Sequence, residues 1–165
     1  MTELILKFFT YNLTYIGFNY WSSSGANVVP YALRMGGSLN WLSNCTKLCV
    51  FTTWPNLDNL GTYLSGNIET MFNNHSGKGL INIIIETSSD GRNYHSKYIT
   101  GDISVFADKY DLEILMFPRH PNIIGEIKSL KNLKKLNICD FHNCNCTGSK
   151  TDLYNQGVNI TRFYV

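Results

Sequence analysis

Residues 123–145 read IIGEIKSLKNLKKLNICDFHNCN, and the spacing of their apolar side chains decides the fold. Counting from Gly125, the offsets two, five, eight, eleven and thirteen hold Ile127, Leu130, Leu133, Leu136 and Ile138. Neither the 3.6-residue period of one helix nor the strict alternation of one strand gives that series. A short turn with Ile127, Leu130 and Leu133 inward, followed by a strand with Leu136 and Ile138 inward, does give it. This is one coil of a solenoid, with Lys135 and Asn137 on the opposite side of the strand.

One coil cannot bury its own apolar face, so the template must recur. From Gly37 the offsets hold Leu39, Leu42, Cys45, Leu48 and Val50; from Gly101 they hold Ile103, Phe106, Lys109, Leu112 and Ile114, with Lys109 the one misfit. At 44% apolar content, five matches in one placement arise by chance in roughly 2% of cases. From Gly66, Ile68 and Met71 fit, and extra residues at Ser76-Gly77-Lys78-Gly79 delay the strand pair to Ile81 and Ile83. From Gly148 the pair comes early, as Val158 and Ile160. Before the first of these glycines, Asn12 to Phe18 repeats the pattern of Asn132 to Ile138, which predicts about six strands. A further inward position lies two residues before each glycine, at Met35, Leu64, Ile99, Ile123 and Cys146.

L-x-x-L-x-I with asparagine, then I-x-G-x-I, resembles a leucine-rich repeat. The glycine before an aliphatic is similar to the irregular repeats of Bacteroidetes bacteria and their phages. The resemblance spans roughly residues 12 to 162 and is most specific from Gly101 to Cys146. It implies a β-rich α/β solenoid, a right-handed coil of about six repeats. A parallel sheet would form the concave face, with irregular turns or short helices on the convex face. Asn122 and Asn145 occupy the family's asparagine position, whose side chain bonds the backbone of the adjacent turn. Tyr98, Tyr63 and Arg34 stand there in the other coils.

The length of 165 residues is one domain's worth. Residues 1–33 read as an N-terminal cap with the first repeat-like strand, crowded with Phe8, Phe9, Tyr11, Tyr15, Phe18, Tyr20 and Trp21; residues 34–165 read as the solenoid. Long convex excursions at Phe51–Thr62 and Glu86–Lys97 place a variable rim in the N-terminal half. Charge is close to balance, 14 basic against 12 acidic residues, which gives no sign of a nucleic-acid partner. The basic cluster Lys128, Lys131, Lys134 and Lys135 reads as the solvated face of one coil. Five cysteines, an odd number, and a start without a basic n-region predict reduced thiols and a virion or cytoplasmic location. No apolar run reaches the length of a membrane span. The five Asn-x-Ser/Thr triplets, at Asn12, Asn44, Asn74, Asn145 and Asn159, follow from an asparagine-rich composition.

Chemistry-bearing motifs are few. Ser76-Gly77-Lys78-Gly79 lacks the earlier glycine and following helix of a phosphate loop. Cys139, His142, Cys144 and Cys146 are zinc-ligand types without two separated pairs, so neither metal nor other cofactor is expected. Arg34 with Asp111-Leu112-Glu113 supports an ADP-ribosyltransferase-like enzyme only weakly, because the repeat already accounts for Leu112. The four histidines lack a nucleophile partner.

The expectation is therefore a non-catalytic interaction or assembly protein, such as a structural subunit of a phage particle. The alternative is a free recognition module of a bacterial surface or secreted protein. Two surfaces are predicted to bind. One is a concave stripe in the column Asn19, Phe51, Ile84, Leu115, Cys139, Thr161, with Phe51, Ile84 and Leu115 at its centre. The other is a C-terminal edge formed by Phe163, Tyr164 and Val165, which would take a protein partner or a second copy. Residues Cys144 to Gln156 could instead fold back over that end as a cap.

Overall fold

The computed structural model describes residues 13–19, 36–54, 63–75, 77–86 and 98–165. Among these residues eleven strands alternate between two parallel sheets. They are β1 (Tyr15–Asn19), β2 (Gly36–Ser38), β3 (Val50–Trp54), β4 (Tyr63–Asn67), β5 (Asn82–Ile85), β6 (Ile99–Asp102), β7 (Ile114–Met116), β8 (Ile123–Glu126), β9 (Ile138–Asp140), β10 (Asn145–Thr147) and β11 (Arg162–Tyr164). Odd-numbered strands form a six-stranded sheet ordered β1-β3-β5-β7-β9-β11, and even-numbered strands a five-stranded sheet ordered β10-β8-β6-β4-β2. Each strand thus pairs with the strand two places along the chain, a topology compatible with a solenoid.

The turn from each even strand to the next odd strand is helical. Leu39–Asn44, Ile103–Phe106 and Ile127–Leu130 are 3₁₀ turns, while Ile68–Phe72 and Lys150–Tyr154 are short α-helices. The residue after each repeat glycine starts the turn. Ser38 Oγ accepts from Asn40 N at 3.2 Å, Asn67 Oδ1 from Thr70 N at 3.0 Å and Asp102 Oδ1 from Ser104 N at 2.8 Å. These caps satisfy amides that the first turn leaves unpaired. In the coil from Gly148, Ser149 N donates instead to Asp152 Oδ2 at 2.7 Å.

The template's turn positions are interior. Leu39, Leu42, Cys45 and Leu48, then Ile103, Phe106 and Leu112, then Ile127, Leu130, Leu133 and Leu136 are all buried in one core. The misfit Lys109 is only 2% exposed, and its ammonium pairs with the Asp108 carboxylate. Ile99 and Ile123 are buried as expected, and Leu64 and Cys146 pack against the core.

Three expectations are corrected. First, one parallel sheet was expected, and the segments around the repeat glycines form a second one. Second, the strand begins two residues later than the pattern suggested. Leu136 lies ahead of β9 in a turn, so alternation starts at Cys139: Cys139 and Phe141 are buried in the core, while Ile138 is half-buried on the other side. The same shift puts Leu115 and Phe117, rather than Ile114, in the core. Third, the proposed concave stripe is not an exposed one. Phe51 and Leu115 are 0% exposed and belong to the core, because β3, β5 and β7 pair in the register Phe51–Ile83–Leu115. Ile84 points to the outer side of β5 yet is only 5% exposed. Residues 1–12 and 20–33 of the N-terminal cap and most of the two long excursions lie outside the described residues, as do Arg34 and His95.

Candidate interaction surfaces

The outer face of the six-stranded sheet follows from its register. One row reads Tyr15, Val50, Asn82, Ile114, Ile138, Arg162, and the next reads Gly17, Thr52, Ile84, Met116, Asp140, Tyr164. Val50, Ile114, Met116 and Ile138 are half-buried, so an apolar band does cross this face, one residue out of phase with the expected column. Within the band, Asn82 Oδ1 is buried without a hydrogen-bond partner.

At the C-terminal ends of the strands the face becomes charged. Asp140 Oδ1 accepts from His142 N at 3.0 Å and lies 2.6 Å from His142 Nδ1, which fixes the imidazole with Nδ1 as the donor. Burial holds the Glu86 carboxyl above its ordinary range, and nearby Arg119 counters this in part. Arg119 N donates to His142 O at 2.8 Å, and Arg119 and Asn143 both adopt positive φ, at 63° and 61°. Glu86, Arg119, Asp140 and His142 lie at or just beyond the ends of β5, β7 and β9, which sequence spacing did not connect. The Asp-x-His step at 140–142 was the one local signal of this cluster.

The remaining motif residues serve the fold. Gly79 N donates to Asp111 Oδ2 at 2.9 Å, so the glycine loop holds a carboxylate of this chain. Lys135 bonds the other oxygen of Asp111 at 2.6 Å and holds that carboxyl below its usual range. Lys128 pairs with Glu126 at 2.8 Å, and Lys134 donates to the carbonyls of Lys131 and Gln156. Thus three of the four clustered lysines are engaged within the chain.

His75 Nε2 meets Cys45 O at 2.8 Å and His120 Nε2 meets Ile85 O at 2.9 Å, so each buried imidazole ties its coil to the one before. Asn145 Nδ2 donates to Pro121 O, the backbone bond expected of the repeat asparagine, at 2.6 Å. Cys139 is buried in the core, Cys144 Sγ donates to Phe117 O at 2.9 Å, and Cys146 Sγ faces Ile123 O at 3.9 Å. Burial pushes the thiols of Cys45 and Cys144 up to about 11 and that of Cys146 up to about 12. Among the described residues no three His, Cys, Asp or Glu side chains form a metal-holding group.

The predicted C-terminal edge is β11, which among the described residues pairs with β9 alone. Phe163 is half-buried against the core, whereas Tyr164 is 55% and Val165 44% exposed. Leu153, Val158 and Ile160 near this end are buried, and Lys150–Tyr154 is the helical turn that leads from β10 to β11. No helix among the described residues is long and apolar enough to cross a membrane.

Comparison with protein-family models, with curated proteins and with solved structures returned no match for this chain.

Proposed function

We propose that this chain is a non-catalytic interaction and assembly module, built as a leucine-rich-repeat-like right-handed solenoid and serving as a structural subunit of a larger assembly such as a phage particle. Strictly sequential parallel pairing in two sheets supports the solenoid, since parallel crossovers are right-handed in nearly all proteins. The observation that carries the assembly reading is β11: among the described residues a strand with one neighbour, bearing exposed Tyr164 and Val165 beside half-buried Phe163. Proteins normally protect such an edge with lysine, proline or a bulge, and Arg162 is the only charge on Arg162-Phe163-Tyr164-Val165. An added strand would satisfy its backbone groups.

Hydrogen exchange on the dilute, monomeric chain tests this. The Phe163 amide is expected to exchange quickly while amides of β7 are protected. A slow Phe163 amide in the monomer would mean that the chain closes its own edge, and the reading would fall.

The half-buried band of Val50, Ile114, Met116 and Ile138 favours the second reading, a recognition module that binds through the outer face of the large sheet. Ile114→Glu would then abolish partner binding while leaving assembly through β11 intact.

A further inference from the structure

The open edge of β11 has a sequence that complements itself, and from this we infer that its partner is a second copy of this chain, paired antiparallel across a two-fold axis at Phe163. The inference rests on the assembly reading above and goes beyond it by naming the partner and the register.

Strand geometry selects the register. Arg162 N donates to Asn137 O at 3.3 Å, and Tyr164 O accepts from Phe141 N at 2.7 Å. Both residues therefore direct their backbone groups toward β9. Backbone groups alternate along a strand, so the N–H and C=O of Phe163 point to the open side. Two copies related by a two-fold axis can exchange both bonds between these residues, Phe163 N–H to the partner copy's Phe163 C=O and the reverse. This is the narrow hydrogen-bonded pair of an antiparallel ladder, with Cα atoms about 5.5 Å apart.

Side-chain phase agrees. Residues directly opposite in an antiparallel pair share a face, so the two Phe163 rings meet on the core side, where Phe163 already packs. On the outer side each Arg162 faces the other copy's Tyr164, a guanidinium against an aromatic ring, and no like charges oppose. Exposed apolar side chains also gather at this end. Of seven large exposed hydrophobic residues among those described, Ile124, Tyr154, Tyr164 and Val165 lie in the last two coils.

The test is sedimentation velocity of the 165-residue chain across a wide concentration range, for the unaltered chain, for Tyr164→Lys and for Arg162→Glu/Tyr164→Lys. The unaltered chain is expected to reach a dimer and stop there. Tyr164→Lys sets Arg162 against a lysine twice per dimer and should weaken association roughly tenfold. The double variant replaces that repulsion with two ion pairs and should recover the dimer. Thermal melts of both variants near the unaltered value establish that the monomer fold is kept.

A dimer unaffected by Tyr164→Lys, or growth into open chains, would overturn the β11 pairing while leaving assembly as a function. A monomer at every concentration with a fast Phe163 amide would remove the second copy as partner but not the open edge. A monomer with a slow Phe163 amide would remove both.

Discussion

Leu136 and Ile138 stand two residues apart and face different surroundings: Leu136 is 1% exposed in the core, and Ile138 is half-buried on the outer side of β9. Truncating Leu136 to alanine should cost about 2–5 kcal/mol, the range for a buried leucine whose cavity cannot fully collapse. Ile138→Ala should cost distinctly less, and Lys135→Ala and Asn137→Ala little, since both are exposed. A thermal melt ranking Ile138 with Leu136 would mean the strand starts earlier. The sequence carried the i to i+3 turn positions faithfully because burial there is nearly complete. It misled at the strand because Ile138 is the more apolar neighbour of Cys139, and only backbone register shows that the cysteine faces in. His75 supplies a pH prediction at the same scale. It is 6% exposed, its Nδ1 has no partner, and burial lowers its pKa from the ordinary 6.5, with Lys109 adding to the effect. A folded-state pKa below the unfolded one means protonation favours the unfolded chain. Its contribution to stability is present above about pH 6.5 and is lost as pH falls toward the folded-state pKa, at up to about 1.4 kcal/mol per pH unit. Glu86, whose carboxyl is held high, acts with the opposite sign, so the readout is a difference. The stability lost between pH 7.5 and 5.5 should be smaller in His75→Gln than in the unaltered chain; equal losses would remove His75 as the cause.

The repeat glycines act at the scale of the element. Gly125 lies in β8 at φ 126°, and a Cβ there would stand 2.5 Å from Asp102 Oδ1 and 2.7 Å from Ile103 Cγ1 in the coil before. Backbone conformation and close stacking both demand glycine. Gly37 has a similar φ of 122°, but a Cβ there meets nothing within 4 Å. Gly125→Ala should therefore lose about 1–3 kcal/mol from backbone strain plus a further loss from the clash, and Gly37→Ala the strain alone. Paired denaturant titrations check the difference, and equal losses would refute the role of stacking. Removing the Asp102 cap should cost about 0.5–2 kcal/mol by the same measurement. Glycine with an aliphatic two residues on was legible as a repeat marker. That the marker also builds a second sheet was not, because strands of three to five residues leave almost no alternation to read. The charged cluster at the sheet's end was equally hidden, since Glu86, Arg119 and His142 meet only through register.

At the scale of the whole molecule, the stack is coupled by rings as well as by sheets. Phe72 and Phe106 have centroids 5.3 Å apart, Phe106 and Phe117 5.8 Å, and Phe117 and Phe141 6.1 Å with nearly parallel planes, so a phenylalanine column runs through successive coils. Where each strand pairs only with the strands two places away along the chain, cooperativity is the sum of such nearest-neighbour interfaces. Phe106 is the middle link, joining Phe72 to Phe117, whereas Phe141 touches the column from one side. Either change to alanine should cost about 3–5 kcal/mol. Their effects on cooperativity should differ. Phe141→Ala weakens one end and should shift the transition in guanidinium chloride with its slope retained. Phe106→Ala separates the N-terminal coils, which hold Trp41, from the C-terminal ones and should split the transition, so that tryptophan fluorescence and far-ultraviolet circular dichroism no longer coincide. Coincident curves for Phe106→Ala, with an unchanged slope, would show that backbone pairing in the two sheets alone makes the stack fold as one unit.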